Sequence, residues 1–275
     1  MIFNIDYVCD RANSIKWQNG TIHGIYRHCF NIITDDGEMI TVFNNKQKFS
    51  TRAYICDCGA DFCGIGLKNG EKAVKKTDGI FVGNIVFNIN SPKIISVHRE
   101  KLKISPDISR NIIYFYSFLK ELGKNSPVLT EKIYVQKLLH GLLTMQKNET
   151  EGFEQLIGLG VGLTPSCDDI ISGITAWNYL LRGYTGFNEK LINFLKLKGD
   201  VKTTTVSKNL LIDVAEGYIN SSLYELIKSI CGDGNKLKTL TGEMAEYGST
   251  SGIETCYGIM FGYSMANGEE LKKWL

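Results

Sequence analysis

Gly158-Leu159-Gly160-Val161-Gly162-Leu163-Thr164-Pro165-Ser166-Cys167-Asp168-Asp169 runs directly into Ile170, Ile171, Ile174, Trp177, Leu180 and Leu181. The apolar residues recur at the period of a buried helix, and the alternate glycines before them describe a loop whose backbone can take φ > 0. Thr164 reads as the N-cap and Pro165 as the first helical residue, where a missing N–H costs nothing. Backbone amides at the positive end of a helix suit a phosphate or carboxylate. Neither named nucleotide loop fits. The Gly-Lys-Ser/Thr ending of a Walker A loop is absent, and Leu163 stands where the dinucleotide fingerprint needs its third glycine. Two readings remain: an anion-binding loop, or a glycine turn that only packs its helix closely. Asp168 and Asp169 are not needed to start the helix, and they would repel a phosphate unless a proton or a cation intervened. Mg²⁺ is the candidate cation, since it bridges carboxylate and phosphate.

Outward from this loop the helical period continues in both directions. Ile108–Leu122 and Glu131–Gln146 are expected helices, and the loop's own helix is expected to end near Gly183. Further helices are expected at about 187–197, 205–217, 221–230, 236–246 and 251–265. Upstream of Ser105-Pro106 the pattern is β. Thr21–Ile33 reads as one strand, Asp35-Asp36-Gly37 as a turn, and Glu38–Phe43 as the return strand. Ile80–Ile89 reads as a second strong strand and Ile94–Val97 as another; residues 46–76 give no clear pattern. The expected fold class is α+β: an antiparallel β barrel or sandwich over 1–105, then a helical domain over 106–275 that carries the glycine loop. Strands first and helices second argue against a parallel nucleotide-binding sheet, which alternates them.

Two other helix starts have similar chemistry. Lys202-Thr203-Thr204-Thr205-Val206-Ser207 precedes one, and Tyr247-Gly248-Ser249-Thr250-Ser251-Gly252-Ile253-Glu254 precedes the other. Aligning Ser166 with Ser251 brings Asp169 onto Glu254, Gly173 onto Gly258 and Ile174 onto Ile259 without a gap. Both segments then read Ser-x-x-acid, which is also an ordinary capping box. If the three starts converge, Gly158, Gly160, Gly162, Thr164, Ser166, Thr204, Thr205, Ser207, Ser249, Thr250, Ser251 and Glu254 would surround one small anionic substrate. Asp168 and Asp169 would be the catalytic pair, holding a cation or accepting a proton.

Other chemistries are less well supported. There is no G-x-S-x-G nucleophile elbow. His23 and His28, assigned to one strand, would face opposite sides, and no histidine pair among His23, His28, His98 and His140 has helical metal spacing. Cys167 at a helix N-terminus would have a lowered thiol pKa. Eight cysteines in 275 residues read as free thiols, and the one cluster, Cys56-Asp57-Cys58 with Cys63, is not a zinc spacing. No metal-ligating set is assigned. With 43% apolar residues, 22% charged residues and a net charge of +2, the chain reads as an ordinary globular protein. That balance gives no electrostatic case for nucleic acid or a membrane surface. No run reaches membrane-spanning length and the first residues are unlike a signal peptide, so a cytoplasmic location is expected.

The segment Gly160–Asp169 resembles the G-x-G-L-T-P-S-G-D-D motif of a bacterial family that includes the smallest, third subunit of oxamate carbamoyltransferase. The likeness extends to the threonine run before Ser207, to Gly248-Ser249-Thr250-Ser251-Gly252 and to the early strand around Ile22–Asn31. Cys167 departs from it, standing where the family has glycine; a side chain there would narrow the pocket or change its ligand. The resemblance implies two larger partner subunits and the interconversion of oxalurate plus phosphate with oxamate plus carbamoyl phosphate. The Ser-Thr-Arg-Thr-Arg loop of ordinary carbamoyltransferases is absent, so the resemblance leaves open which chain catalyses. The alternative is a non-catalytic assembly or ligand-sensing subunit with a structural glycine loop.

Overall fold

The computed structural model describes residues 1–47, 49–123 and 126–275. Two compact units divide the chain, Met1–His98 and Arg99–Leu275.

In the first unit the strands are β1 (Ile2–Asn4), β2 (Tyr7–Cys9), β3 (Asn19–Ile25), β4 (Cys29–Thr34), β5 (Met39–Phe43), β6 (Ala53–Ile55), β7 (Lys72–Lys75), β8 (Gly79–Val82), β9 (Ile85–Asn88) and β10 (Lys93–Ile95). A short helix α1 (Asp10–Ser14) follows β2. They form one sheet in the order β1-β9-β8-β7-β3-β4-β5-β6-β2-β10. The sheet is mixed. An antiparallel run from β9 to β5 is flanked by parallel pairings of β1 with β9, β5 with β6, and β10 with β2. Consecutive β1 and β2 lie far apart in this order, β1 at one edge and β2 next to the other. Ile5 N–H donates to Asn88 O (2.8 Å) and Asp6 N–H to Ile55 O (2.8 Å), so the intervening residues bridge the two ends and the sheet curls into a half-barrel. Its interior holds Phe30, Phe62 and Phe87, whose ring centroids lie 5.2–6.1 Å apart. Edge-to-face and tilted contacts of this kind add to the burial of the rings.

Two strand expectations need correction. The run Thr21–Ile33 is not one strand but β3 and β4 in antiparallel register, and His28 lies in the turn between them. Ile80–Ile89 is likewise a hairpin: Gly83 takes φ +52° and reverses the chain after Val82. In both cases apolar residues on either side of a short turn simulate continuity. A Gly-Asn pair, as at 83–84, is itself a two-residue turn signal.

The second unit is helical among the described residues: α2 (Ile108–Glu121), α3 (Pro127–Thr130), α4 (Lys132–Lys147), α5 (Glu149–Leu156), α6 (Ser166–Arg182), α7 (Gly186–Lys202), α8 (Thr205–Ala215), α9 (Ser221–Cys231), α10 (Leu237–Ala245) and α11 (Ser251–Asn267). None of these helices is long and apolar enough to cross a membrane. The core is built around α6 and α11. Every residue from Gly252 to Ser264 is buried, so α11 is enclosed on all sides. Helices that are apolar all round belong in such a position.

α6 and α11 touch backbone to backbone. A Cβ at Gly173 would lie 2.1 Å from Thr255 O and 2.9 Å from Gly258 Cα, and one at Gly258 would lie 2.1 Å from Ile170 O. Further along, a Cβ at Gly262 would meet Trp177 Cβ at 3.0 Å, and the Trp177 and Tyr263 rings pack edge to face. The contacts step along both helices in the same direction, so the pair runs parallel with both N-termini at one end.

Gly258→Ala forces the helices apart and is expected to destabilise by about 1–3 kcal/mol. Gly242→Ala, on α10 where nothing lies within 4 Å of the added methyl, is expected to stabilise by about 0.5–1 kcal/mol. Denaturant unfolding of the two variants checks the contrast.

Candidate functional site

The parallel packing of α6 and α11 sets their N-termini together, and the glycine loop lies between α5 and α6. Gly158, Gly160 and Gly162 take φ of +83°, +121° and +103°, values that favour glycine. Their surroundings differ. A Cβ at Gly158 would lie 1.8 Å from Lys202 O, and one at Gly160 would lie 2.5 Å from the Ser166 nitrogen. At Gly162 the nearest atom would be Thr164 O at 3.7 Å, so the loop tip faces open space. Val161 and Leu163 flank it, 71% and 45% exposed. Among the described residues, the backbone N–H groups of Gly160, Val161, Gly162, Leu163 and Thr164 donate to no protein group. These amides are left as available hydrogen-bond donors.

Asp168, on the first turn of α6, is buried and ties three segments together. Its Oδ1 accepts from Gly158 N–H (2.7 Å), and its Oδ2 accepts from the Ser207 hydroxyl (2.6 Å) and the Thr203 hydroxyl. Thr204 caps α8 by accepting from Ser207 N–H (3.0 Å), and its hydroxyl donates to Leu163 O (2.6 Å). The glycine loop is thereby held at both ends against the start of α8. Asp169 is half-buried. It accepts from the Thr164 hydroxyl (3.0 Å), whose oxygen lies 3.1 Å from Ser251 Oγ on α11. Glu254, also buried, accepts from Ser126 Oγ (2.5 Å), and its Oε2 has no partner among the described residues.

The three helix starts therefore meet, and side-chain hydrogen bonds join Gly158, Thr164, Asp168, Asp169, Thr204, Ser207 and Ser251. Ser166 is buried against Gly160, with a Gly160 Cβ 2.9 Å from its Oγ. Thr205, Ser249 and Thr250 belong to the same helix starts, but among the described residues no side-chain hydrogen bond links them to the acidic pair; Ser249 is exposed. Thr203 and Ser126 escaped the sequence reading. Thr203 was signalled by its place in the threonine run. Ser126 has no local signal, because its partner Glu254 is 128 positions away.

Three local expectations change. Pro165, not Thr164, is the N-cap of α6, and Ser166 is the first helical residue; the Thr164 hydroxyl is engaged by Asp169. Ser251 begins α11 after Thr250, which makes no side-chain cap, so the Ser-x-x-acid pattern is not a capping box at either helix. Cys167 is fully buried, and burial together with Asp168 and Glu254 pushes its thiol pKa up, opposite to a helix-terminus activation. Its side chain enters the core and not the loop's open face.

Burial raises the pKa of Asp168, while Gly158 N–H, Ser207 and Thr203 pull it back. Burial raises Asp169 well above the ordinary carboxyl range; Glu254 and Asp168 push it the same way, against Ser251 and Thr164. Among the described residues no group of three or more His, Cys, Asp or Glu is arranged to hold a metal ion.

Residues 4–94 match the family model described as the AllH family N-terminal domain, and residues 156–263 match the one described as oxamate carbamoyltransferase subunit AllH. The chain belongs to the AllH family. No solved structure matches it. The AllH subunit model begins two residues before Gly158 and ends on α11, so its span contains the glycine loop and all three helix starts. The AllH N-terminal domain model covers the half-barrel strands from Asn4 to Ile94.

Because the folded pKa of Asp169 exceeds its unfolded value of about 3.9, the folded state holds a proton that the unfolded state releases above that pH. Stability from this group is present in acid and is lost as pH rises toward the folded pKa. Asp169→Asn is expected to flatten that decline, leaving the smaller contribution of Asp168. Denaturant midpoints measured from pH 4 to pH 8 read the difference in slope.

Proposed function

We propose that this AllH family chain binds the anionic group of a substrate in a carbamoyltransferase assembly, at the glycine loop and the first turns of α6, α8 and α11. The reaction is oxamate plus carbamoyl phosphate to oxalurate plus phosphate, and its reverse. The observation that carries this reading is the run of unused amides from Gly160 to Thr164, in a loop anchored by Asp168 to the α8 start. These amides and the positive helix ends supply donors to a carboxylate or phosphate.

Asp168 acts here as a positioning residue, its oxygens being occupied by loop and α8 donors. Asp169 is the proton-handling residue. In its protonated form it carries no charge against the anion and can donate a hydrogen bond to it. In the synthetic direction the oxamate nitrogen attacks the carbamoyl carbon, the bond from that carbon to the phosphate oxygen breaks, and the nitrogen loses a proton. That proton would leave with the departing phosphate, to which the protonated Asp169 donates its hydrogen bond. Most of the rate enhancement would come from positioning and electrostatic stabilisation. The subunit description supports further protein chains in the assembly. A non-catalytic assembly role is favoured by a different observation, the exposed apolar tips Val161 and Leu163.

A thermal-shift series with phosphate, carbamoyl phosphate, oxamate and oxalurate, each with and without Mg²⁺, tests the site on the isolated chain. A ligand at a hundredfold over its Kd adds about 2.7 kcal/mol, which moves the helical unit's transition by several degrees. The shift is expected to disappear in Gly162→Ala, where the backbone conformation is strained but no atom crowds the methyl. A shift retained in Gly162→Ala rejects the loop as the anion site. An unliganded response that appears only when partner chains are added supports the assembly role.

A further inference from the structure

Cys56 and Cys58 lie in the half-barrel unit and take no part in the proposed anion site. Their Sγ atoms are 3.0 Å apart, inside ordinary sulfur–sulfur contact and about 1 Å from disulfide bonding distance. The loop that carries them is fixed at both ends. Cys56 N–H donates to Phe43 O (2.9 Å), Gly59 N–H to Asn44 O (2.9 Å), and Asn44 Nδ2 to Ala60 O (2.5 Å). Between the two cysteines Asp57 takes φ +30°, the one left-handed non-glycine backbone among the described residues. Such a conformation is unfavourable for a residue with a side chain and persists only where the surroundings impose it. Here it holds two thiols face to face. Cys58 is exposed and Cys56 is buried, so one thiol is reachable from solvent and the second stands directly behind it. Cys63 is exposed as well, but it is turned to Asp61, which accepts from its backbone N–H (3.0 Å) and its side chain.

We propose that Cys56 and Cys58 form a redox-active dithiol that low-molecular-weight disulfides such as glutathione disulfide oxidise reversibly to an intrachain disulfide. The Cys58 thiolate attacks one sulfur of glutathione disulfide, forming a mixed disulfide and releasing one glutathione thiolate. Cys56 then attacks the Cys58 sulfur, its proton passing to the departing glutathione sulfur, and the second glutathione leaves as a thiol. Two protein thiols are oxidised and one glutathione disulfide is reduced to two thiols, so electrons balance. Burial and the neighbouring Cys58 raise the Cys56 thiol's pKa, which agrees with the exposed Cys58 being the first to react. The small movement needed and the fixed loop ends favour closure over a lasting mixed disulfide.

The full chain is incubated with glutathione disulfide, quenched by an alkylating agent and cut on the N-terminal side of aspartates. Cuts before Asp57 and Asp61 put Cys56, Cys58 and Cys63 into three separate peptides, so the linkage is read from which two remain joined. The expected result is Cys56 joined to Cys58, Cys63 alkylated, and separation by dithiothreitol. Cys56→Ser is expected to retain glutathione on Cys58, and Cys63→Ser to retain the crosslink. A stable glutathione adduct on wild-type Cys58, a Cys58–Cys63 link, or full alkylation of Cys56 and Cys58 overturns the proposal. The wild-type and Cys63→Ser measurements stand even if Cys56→Ser does not fold.

Discussion

The contact of Gly173 with Gly258 is the constraint on which the helical unit depends. Only glycine at both positions lets α6 and α11 pack with backbone against backbone, and the parallel sense of the pair brings two positive helix ends to one place. A third, the start of α8, is drawn in through Ser207 and Thr203. Parallel helix ends repel one another, and the carboxyl groups of Asp168, Asp169 and Glu254 in the first turns of α6 and α11 oppose that repulsion. Their burial has its own cost, visible in the raised pKa values of both aspartates. The acidic pair is thus partly a consequence of the packing, before any substrate is considered.

The packing reading of the glycine loop holds for some of its glycines and not for others. Gly158 and Gly160 meet protein atoms so closely that no side chain fits, which is a packing requirement. A Gly162 Cβ would meet only Thr164 O, at an ordinary 3.7 Å, so its φ of +103° shapes backbone that faces outward. A ligand-binding role therefore rests on the tip from Gly160 to Thr164, with Gly158 and Asp168 holding it in place. Cys167, the departure from the family motif, enters the core and leaves that outward face unaltered.

Much of the architecture was legible along the chain because its signals are local. Strands precede helices, and α2, α4, α6 and α8–α11 fall where the apolar period puts them. The hairpins at Tyr26–His28 and Gly83-Asn84 were read through as single strands, since apolar residues continue on both sides. The parallel pairings of β1, β6 and β10 carry no sequence mark, because these three-residue strands are selected by sheet edges formed elsewhere.

By itself the sequence determined the composition of the site: alternate glycines, a threonine run and two Ser-x-x-acid helix starts whose alignment places Gly173 on Gly258. It determined this because helix starts and tight turns are governed by residues close in the chain. Only the tertiary structure decided that those two glycines touch, that Ser166 and Ser251 lie inside their helices and not at the caps, and that Asp168 faces Ser207 while Asp169 faces Thr164. Those choices follow from the distance of closest approach between two helices, which no local pattern encodes.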